Sequence, residues 1–170
     1  MNANQKPTLL LIDGHSLAFR AFYALSPDSF KTPDGQHTNA VHGFISMLLN
    51  ILQNEKPTHL AVAFDLSRSS FRTEEYPEYK GTRGETPPEF NGQTELLREA
   101  LTAMNIKTIT RENYEADDIL ASLADQSGEK GFNVFVVSGD RDTFQLIRPE
   151  TTILYPVKGV LNMARMTDEA

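Results

Sequence analysis

The chain has 170 residues, 39% of them hydrophobic, and a formal net charge of −7, so it can bury a real core and shows no sign of low complexity or disorder. It contains no cysteine, which excludes disulfide bonds, thiolate metal sites and a cysteine nucleophile, and it lacks a membrane-length hydrophobic run and a secretory signal. We therefore expect a single soluble domain in the cytoplasm with no membrane partner, and the acidic charge taken alone argues against nucleic acid.

Apolar runs that indicate strands alternate with helical patterns along the chain. After a strand at 9–12 come helices at 15–25 and 37–53, a strand at 59–64, a helix at 93–104, a strand at 106–109, a helix at 115–127, a strand at 133–137, a short helix at 142–147 and a strand at 152–155. Four β-branched or aromatic residues in a row, as at 134–137, are typical of a strand buried on both faces in a parallel sheet. The alternation predicts an α/β fold with a mostly parallel central sheet.

Residues 66–92 interrupt this alternation. The segment is rich in charge, aromatic residues and proline, and it is too long for an ordinary connection. Four basic residues alternate with three aromatic ones between 68 and 83, a composition that binds backbone phosphates and stacks on bases; they are Arg68, Phe71, Arg72, Tyr76, Tyr79, Lys80 and Arg83. Three interleaved glutamates dilute the signal, so composition alone also allows a solvated loop.

Aspartates follow three of the predicted strands. The run at 9–12 leads directly into Asp13, the run at 60–64 leads into Asp65, and the strand at 133–137 is followed by Asp140 and Asp142. One such aspartate is explained by a helix cap. In a parallel sheet, however, all of them would lie at one edge, which is where open α/β sheets bind their ligands.

A further acidic group opens the helix predicted at 115–127. Its first turn contains Glu115, Asp117 and Asp118, and the first and last of these, three residues apart, share a helix face. Acidic residues in a first turn complement the helix dipole, which accounts for one or two of them. Three acids exceed that need.

These seven carboxylates are candidates for a metal site. At about 4 Å, each pair would repel by roughly 4 kcal/mol at an effective dielectric constant near 20, so a cluster must take up protons or hold cations. Oxygen-only ligands favour magnesium or manganese over zinc, and two such ions about 4 Å apart serve phosphoryl transfer. Two divalent ions would also change the formal charge from −7 to −3. The candidate ligands are Asp13, Asp65, Glu115, Asp117, Asp118, Asp140 and Asp142.

Five motifs occur in an order that resembles a known family. They are Asp13-Gly14-His15-Ser16-Leu17 with Arg20 and Tyr23, Phe64-Asp65, Phe71-Arg72 through Tyr79-Lys80 and Arg83, Tyr114-Glu115-Ala116-Asp117-Asp118, and Ser138-Gly139-Asp140-Arg141-Asp142 with Gln145-Leu146. Together they resemble the 5′-nuclease domains at the amino end of bacterial DNA polymerase I, in the PIN-like flap endonuclease superfamily. The resemblance covers essentially the whole chain.

The resemblance implies a fold, an activity and partners. The expected fold is a three-layer αβα, PIN-like fold with a mostly parallel central sheet and a helical arch or flexible insertion at about 66–92. The expected activity is that of a structure-specific 5′-3′ exonuclease and 5′-flap endonuclease, which uses two Mg²⁺ ions, or Mn²⁺ in their place, to hydrolyse DNA and RNA primers in replication and repair. The expected partners are DNA with a 5′ flap, nick or primer, and a polymerase domain in the same protein, near the bacterial nucleoid.

The resemblance also implies residue roles. Asp13, Asp65, Glu115 and Asp117, with Asp118 beside them, match the first-metal group, while Asp140 and Asp142 match the second-metal side. Lys80 and Arg83 match basic residues that act on the scissile phosphate, and both would contact DNA. The further expected DNA contacts are Arg20, Tyr23, Arg72 and Tyr79.

The family continues beyond the last strand with another pair of aspartates and a helix-hairpin-helix motif. This sequence lacks both, and Thr167 to Ala170 resemble the N-cap and first turn of a further helix. We expect 1–170 to be the N-terminal part of a 5′-3′ exonuclease domain, with activity by itself in doubt. Three alternatives remain: a non-catalytic DNA-binding fragment, a PIN-like ribonuclease, and a haloacid-dehalogenase-type phosphatase suggested by Asp140-Arg141-Asp142-Thr143.

Overall fold

A computed structural model describes residues 6–65, 87–158 and 162–168. The strands in these ranges are β1 (Thr8–Asp13), β2 (His59–Ala63), β3 (Lys107–Ile109), β4 (Asn133–Val137), β5 (Thr151–Lys158) and β6 (Asn162–Met166). They form one sheet in the order β3-β2-β1-β4-β5-β6. Strands β1 to β5 are parallel, and β6 pairs antiparallel with β5.

Helices cover both faces of the sheet. They are α1 (Gly14–Ala24), α2 (Asn39–Glu55), α3 (Gln93–Ala103) and α4 (Ala116–Glu129), with 3-10 turns at Pro27–Ser29, Pro88–Phe90 and Arg141–Leu146. Alternate strand residues point to opposite faces, so Leu10 and Ile12 of β1 pack against α1, α2 and α3, while Leu11 packs against α4. Two hydrophobic layers result, one on each side of the sheet. The expected three-layer αβα fold with a mostly parallel sheet is confirmed.

The predicted helices and strands are present, with small shifts at their ends. The short helix expected at 142–147 is a 3-10 turn, and the strand expected at 152–155 extends over Thr151–Lys158. Strand β6 was not predicted, because its sequence NMARM lacks β-branched and aromatic residues, and only pairing with β5 makes it a strand. Most of the expected arch lies outside the described residues, which resume at residue 87. The described helices contain no segment long and apolar enough to span a bilayer.

The strand order creates a crevice beside β1. The chain runs outward from β1 to β2 and β3 in one direction, and it returns to β4 and β5 on the other side. Ligands of open α/β sheets bind at such a switch point, outside the carboxyl ends of the strands. Asp13 is the last residue of β1, whereas Asp65 and Asp140 follow β2 and β4 closely. The fold thus brings all three aspartates to the same edge.

Candidate functional site

Asp13, like Glu115, is almost fully buried at this edge. Only 5% of the residue is exposed, and it forms the N-cap of α1 by accepting a 3.2 Å hydrogen bond from the backbone N–H of Ser16. The Ser138 hydroxyl donates to its other oxygen, also at 3.2 Å. These two hydrogen bonds hold the Asp13 carboxylate at the junction of β1, α1 and β4.

Asp13 and Asp117 are electrostatically destabilised as anions. Burial raises the pKa of Asp13 well above its usual value, and the charge of Asp117 and, more weakly, that of Asp65 raise it further. Burial likewise raises the pKa of Asp117, as do the charges of Asp140, Asp65 and Glu115. Carboxylates from four separate segments therefore converge.

Asp65 is fixed by a contact with the helix that contributes the other acids. Its Oδ1 accepts a 2.6 Å hydrogen bond from the backbone N–H of Ala116, the first residue of α4. This bond satisfies one of the N–H groups that the first turn of a helix leaves unpaired. The end of β2 and the start of α4 are thereby joined.

The three acids at the start of α4 have different environments. Glu115 is the N-cap and only 5% exposed, and Asp118 Oδ2 accepts a 3.1 Å hydrogen bond from the Glu115 backbone N–H. Asp118 thus supports the start of the helix, which is the ordinary role of an acid at this position. Asp117, by contrast, interacts with Asp13 and Asp140 across the site.

Two serines without a predicted role link β1 and α1 to the segment that follows β4. The fully buried Ser138 donates to Asp13 and accepts a 3.1 Å hydrogen bond from the Asp140 backbone N–H. Ser16 Oγ accepts a 2.9 Å hydrogen bond from the Gly139 N–H. Both serines belong to motifs of the sequence, but the pairing itself depends on the alignment of β1 with β4.

Asp140 caps the 3-10 turn that follows β4. Its Oδ1 accepts a 2.9 Å hydrogen bond from the backbone N–H of Asp142, and Asp142 itself is exposed. The turn therefore fixes Asp140 while Asp142 remains open to solvent. The two aspartates occupy the same edge of the sheet but differ in how firmly they are held.

The donor chemistry of the site fits a hard divalent cation. All of its acidic groups offer carboxylate oxygens, and a cation would offset the burial and the repulsion that raise the pKa of Asp13 and of Asp117. Over residues 6–65, 87–158 and 162–168, however, no three His, Asp or Glu side chains are grouped so that they could hold one ion. Binding a metal ion would therefore require side chains to rotate towards one another.

The expected DNA contacts fall into two groups. Arg20 donates a 2.6 Å hydrogen bond to the Pro156 carbonyl and lies over the Tyr155 ring at 5.7 Å, so part of its guanidinium already has partners. Tyr23 is 64% exposed, with its ring edge against neighbouring aromatic residues of α1. The remaining expected contacts lie outside the described residues; they are Arg72, Tyr79, Lys80 and Arg83.

The fold is that of the PIN-like flap endonucleases. It aligns with the flap endonuclease of bacteriophage T5, whose crystal structure is a pseudo-enzyme-product complex with DNA and metal ions, at a TM-score of 0.68 and 23% identity, covering 94% of this chain and 57% of that one. A zinc-bound T5 5′-exonuclease aligns at a TM-score of 0.65 and 25% identity, over 87% and 55% of the two chains. Human GEN1 in complex with Holliday junction DNA aligns at a TM-score of 0.55 and 12% identity, covering 99% of this chain and 40% of that one.

The sequence identifies the family within that fold. Residues 8–170 match the family model of the 5′-3′ exonuclease, N-terminal resolvase-like domain, and the chain belongs to this family. Similar curated proteins are the DNA polymerase I of Mycobacterium tuberculosis, 53% identical over 165 residues, and that of Bacillus caldotenax, 49% identical over 165 residues. Each match covers 97% of this chain but 18% and 19% of those proteins, so the chain spans less than a fifth of their length.

Proposed function

We propose that the protein is a structure-specific 5′-3′ exonuclease and 5′-flap endonuclease that hydrolyses phosphodiester bonds of DNA and RNA primers. The observation that carries this proposal is the convergence of Asp13, Asp65, Asp117 and Asp140 at one edge of the sheet. Membership in the 5′-3′ exonuclease family supports it, as does the likeness of the fold to flap endonucleases.

The proposed cofactor is a pair of Mg²⁺ ions, with Mn²⁺ as a substitute. Asp13, Asp65, Glu115 and Asp117 would hold the first ion, with Asp118 beside them. Asp140 and Asp142 would face the second. Two bound divalent ions supply a water of lowered pKa and stabilise the charge that develops on the leaving oxygen.

The protein's own contribution is to fix two of the acids, Asp13 and Asp140, so that the rotation needed for ion binding would fall on the other carboxylates. Asp13 is anchored by Ser16 and Ser138, and Asp140 by the turn that it caps. Ligands that are fixed by neighbouring hydrogen bonds lose little freedom on binding, which favours both affinity and a defined geometry. Asp142 is exposed, so we expect its side chain to change conformation when an ion binds.

Basic and aromatic residues would bind the DNA. Lys80 and Arg83 would act on the scissile phosphate by supplying positive charge to it. Arg72 and the remaining donors of Arg20 would contact other phosphates. Tyr23, whose ring is largely exposed, and Tyr79 would stack on bases.

The proposed biological setting follows from the relatives. DNA polymerase I of Mycobacterium tuberculosis and of Bacillus caldotenax carries the matching segment within a much longer chain, so a polymerase domain in the same polypeptide is the proposed partner. The substrates would be 5′ flaps and nicked or primer-bearing duplexes that arise in replication and repair. The proposed location is the bacterial cytoplasm, at the nucleoid.

Cleavage of a 5′-flap DNA tests the proposal. The full-length protein should release the flap in Mg²⁺ and not in EDTA, whereas a full-length protein that leaves the flap intact in Mg²⁺ would refute the proposed activity. The 170-residue chain should be assayed beside it. Since no three of its described carboxylates are grouped so that they could hold one ion, binding of flap DNA without cleavage by this chain alone would favour the second candidate, a DNA-binding part of the nuclease.

A further inference from the structure

A cavity of about 460 Å³ lies next to the acidic site, between α4 and the Arg141–Leu146 turn. Its walls include Asp117 and Asp118 from the helix, and Arg141, Asp142 and Gln145 from the turn. Pockets that bind small ligands have volumes of about 300–1,000 Å³. The cavity is thus large enough for a nucleotide, and it shares Asp117 and Asp142 with the proposed metal site.

Arg141 differs from the other arginines that the structure describes. Arg20 and Arg148 donate to backbone carbonyls, Arg165 pairs with Glu55, and Arg98 and Arg111 lie over aromatic rings. Within the described ranges, Arg141 forms no hydrogen bond, ion pair or ring contact, although it stands between two aspartates in the sequence and three acids line its cavity. An exposed guanidinium beside carboxylates that does not pair with them is available to an anion from outside.

The chemistry of the cavity fits one phosphodiester with its nucleoside. A guanidinium presents parallel N–H donors that match two phosphate oxygens, which the point charge of a lysine cannot do. Gln145 lines the same cavity and is exposed, so its side-chain amide can donate to or accept from a sugar or base edge. The surrounding carboxylates would repel a phosphate unless cations neutralise them, which restricts binding to the metal-loaded protein.

We propose that this cavity is a subsite for a nucleotide adjacent to the scissile bond, with Arg141 binding its phosphate. The inference rests on the proposed nuclease function. It adds a phosphate-binding residue and a binding position for one nucleotide of the DNA strand. Arg141 is thus a substrate-binding residue, and it contributes one of the contacts between the protein and DNA phosphates.

The test is the salt dependence of DNA binding by the full-length protein. Flap DNA is titrated in Ca²⁺, another divalent ion with oxygen ligands, and its recovery intact afterwards shows that binding alone was measured. Arg141→Ala should weaken binding about tenfold and reduce the slope of log affinity against log salt by about one. Arg141→Lys should keep the slope and recover part of the affinity. The matched control is Lys130→Ala, which removes an exposed charge at the other end of α4, roughly 20 Å away, and should change neither quantity.

The outcomes separate this inference from the function on which it rests. If the unmutated protein does not bind flap DNA, the proposed function itself fails. If it binds, and the Arg141→Ala protein melts at the same temperature yet keeps the same slope and affinity, the subsite is refuted while the nuclease proposal stands. A loss of slope in Arg141→Lys as large as in Arg141→Ala would also count against a phosphate contact, because lysine retains the charge.

Discussion

Gln93 donates a 2.8 Å hydrogen bond to the side chain of Asn39, and both residues are buried. Gln93 Oε1 also accepts a 2.7 Å hydrogen bond from the backbone N–H of Ala40, and Asn39 donates to the Phe22 carbonyl at 2.9 Å. This amide pair therefore joins the end of α1, the start of α2 and the start of α3. No described buried side-chain nitrogen or oxygen lacks a partner, so any change here leaves a polar group without one.

We expect Gln93→Leu to destabilise the protein by about 2–4 kcal/mol, because each buried polar group left unpaired costs about 1–3 kcal/mol. Here Asn39 Oδ1 and the Ala40 N–H would both lose their partner. Urea unfolding measures the change. The control is Gln53→Leu, the same substitution at an exposed position of α2, which should stay within about 0.5 kcal/mol. Equal effects of the two substitutions would contradict the assigned role of the pair.

The sequence predicts the convergence of the acids at strand ends better than the contacts that hold them. Asp13, Asp65 and Asp140 could be placed together because carboxyl ends of parallel strands share one edge, and each acid follows an apolar run. The acidic first turn also placed Asp117 among the candidate ligands, but its approach to Asp13 and Asp140 depends on the position of α4 on the sheet. A strand pattern does not supply that information.

Contacts between distant segments were beyond prediction for a different reason. The hydrogen bond between Ser16 and Gly139 spans 123 positions of the chain, and neither residue type indicates a partner of its own. The same holds for the Asn39 and Gln93 pair, which a helix pattern treats as two polar residues at helix starts. Strand β6 depends on pairing with β5 and not on local preference.

Gly14 is the first residue of α1 and follows the buried Asp13. The surrounding structure leaves no room for a side chain at this position. A Cβ at this position would lie 2.5–2.7 Å from three carbons of the Phe64 ring, which is fully buried. We expect Gly14→Ala to destabilise the protein by about 1–3 kcal/mol in urea unfolding, as overpacked cores do. Combining Gly14→Ala with Phe64→Leu, which replaces the ring by a smaller side chain, should recover part of that loss.

A second helical glycine provides the control. A Cβ at Gly128 of α4 would meet only the flexible side chain of Glu150, and alanine is favoured over glycine inside a helix by roughly 0.5–1 kcal/mol. We expect Gly128→Ala to be neutral or slightly stabilising. If Gly14→Ala were equally harmless, close packing against Phe64 would not be the reason for glycine at position 14.

Asp140→Asn tests the proposed second-metal side without disturbing the turn that Asp140 caps. Asparagine retains an oxygen for the Asp142 N–H but has no charge for a metal ion. We expect flap cleavage by the full-length protein to fall about 100-fold or more, while DNA binding largely survives. The matched control is Asp125→Asn, an exposed position on α4, which should retain full cleavage. Unchanged turnover in the Asp140→Asn protein would rule out the assigned role.

Asp13 links the proposed activity to stability through pH. Its pKa is raised in the folded protein, first by burial and next by Asp117, so the folded state holds this proton more tightly than the unfolded chain does. Below the ordinary pKa of an aspartate, both states are protonated and the residue contributes nothing to the pH dependence. As pH rises from there to the raised folded pKa, the unfolded chain loses the proton first and the folded state loses stability. Above the folded pKa, the penalty is complete and constant.

We therefore expect Asp13→Asn to stabilise the metal-free protein at neutral pH while abolishing cleavage, because asparagine can still cap α1 but carries no charge. Thermal melting in EDTA across the pH range should show the unmutated protein losing stability with rising pH relative to Asp13→Asn. Adding Mg²⁺ should stabilise the unmutated protein and leave Asp13→Asn nearly unchanged, since the cation would offset the buried negative charge of Asp13. Asp125→Asn should behave as the unmutated protein does. A lower melting temperature for Asp13→Asn than for the unmutated protein in EDTA would contradict this prediction, because the Asp13 carboxyl group would then stabilise the fold.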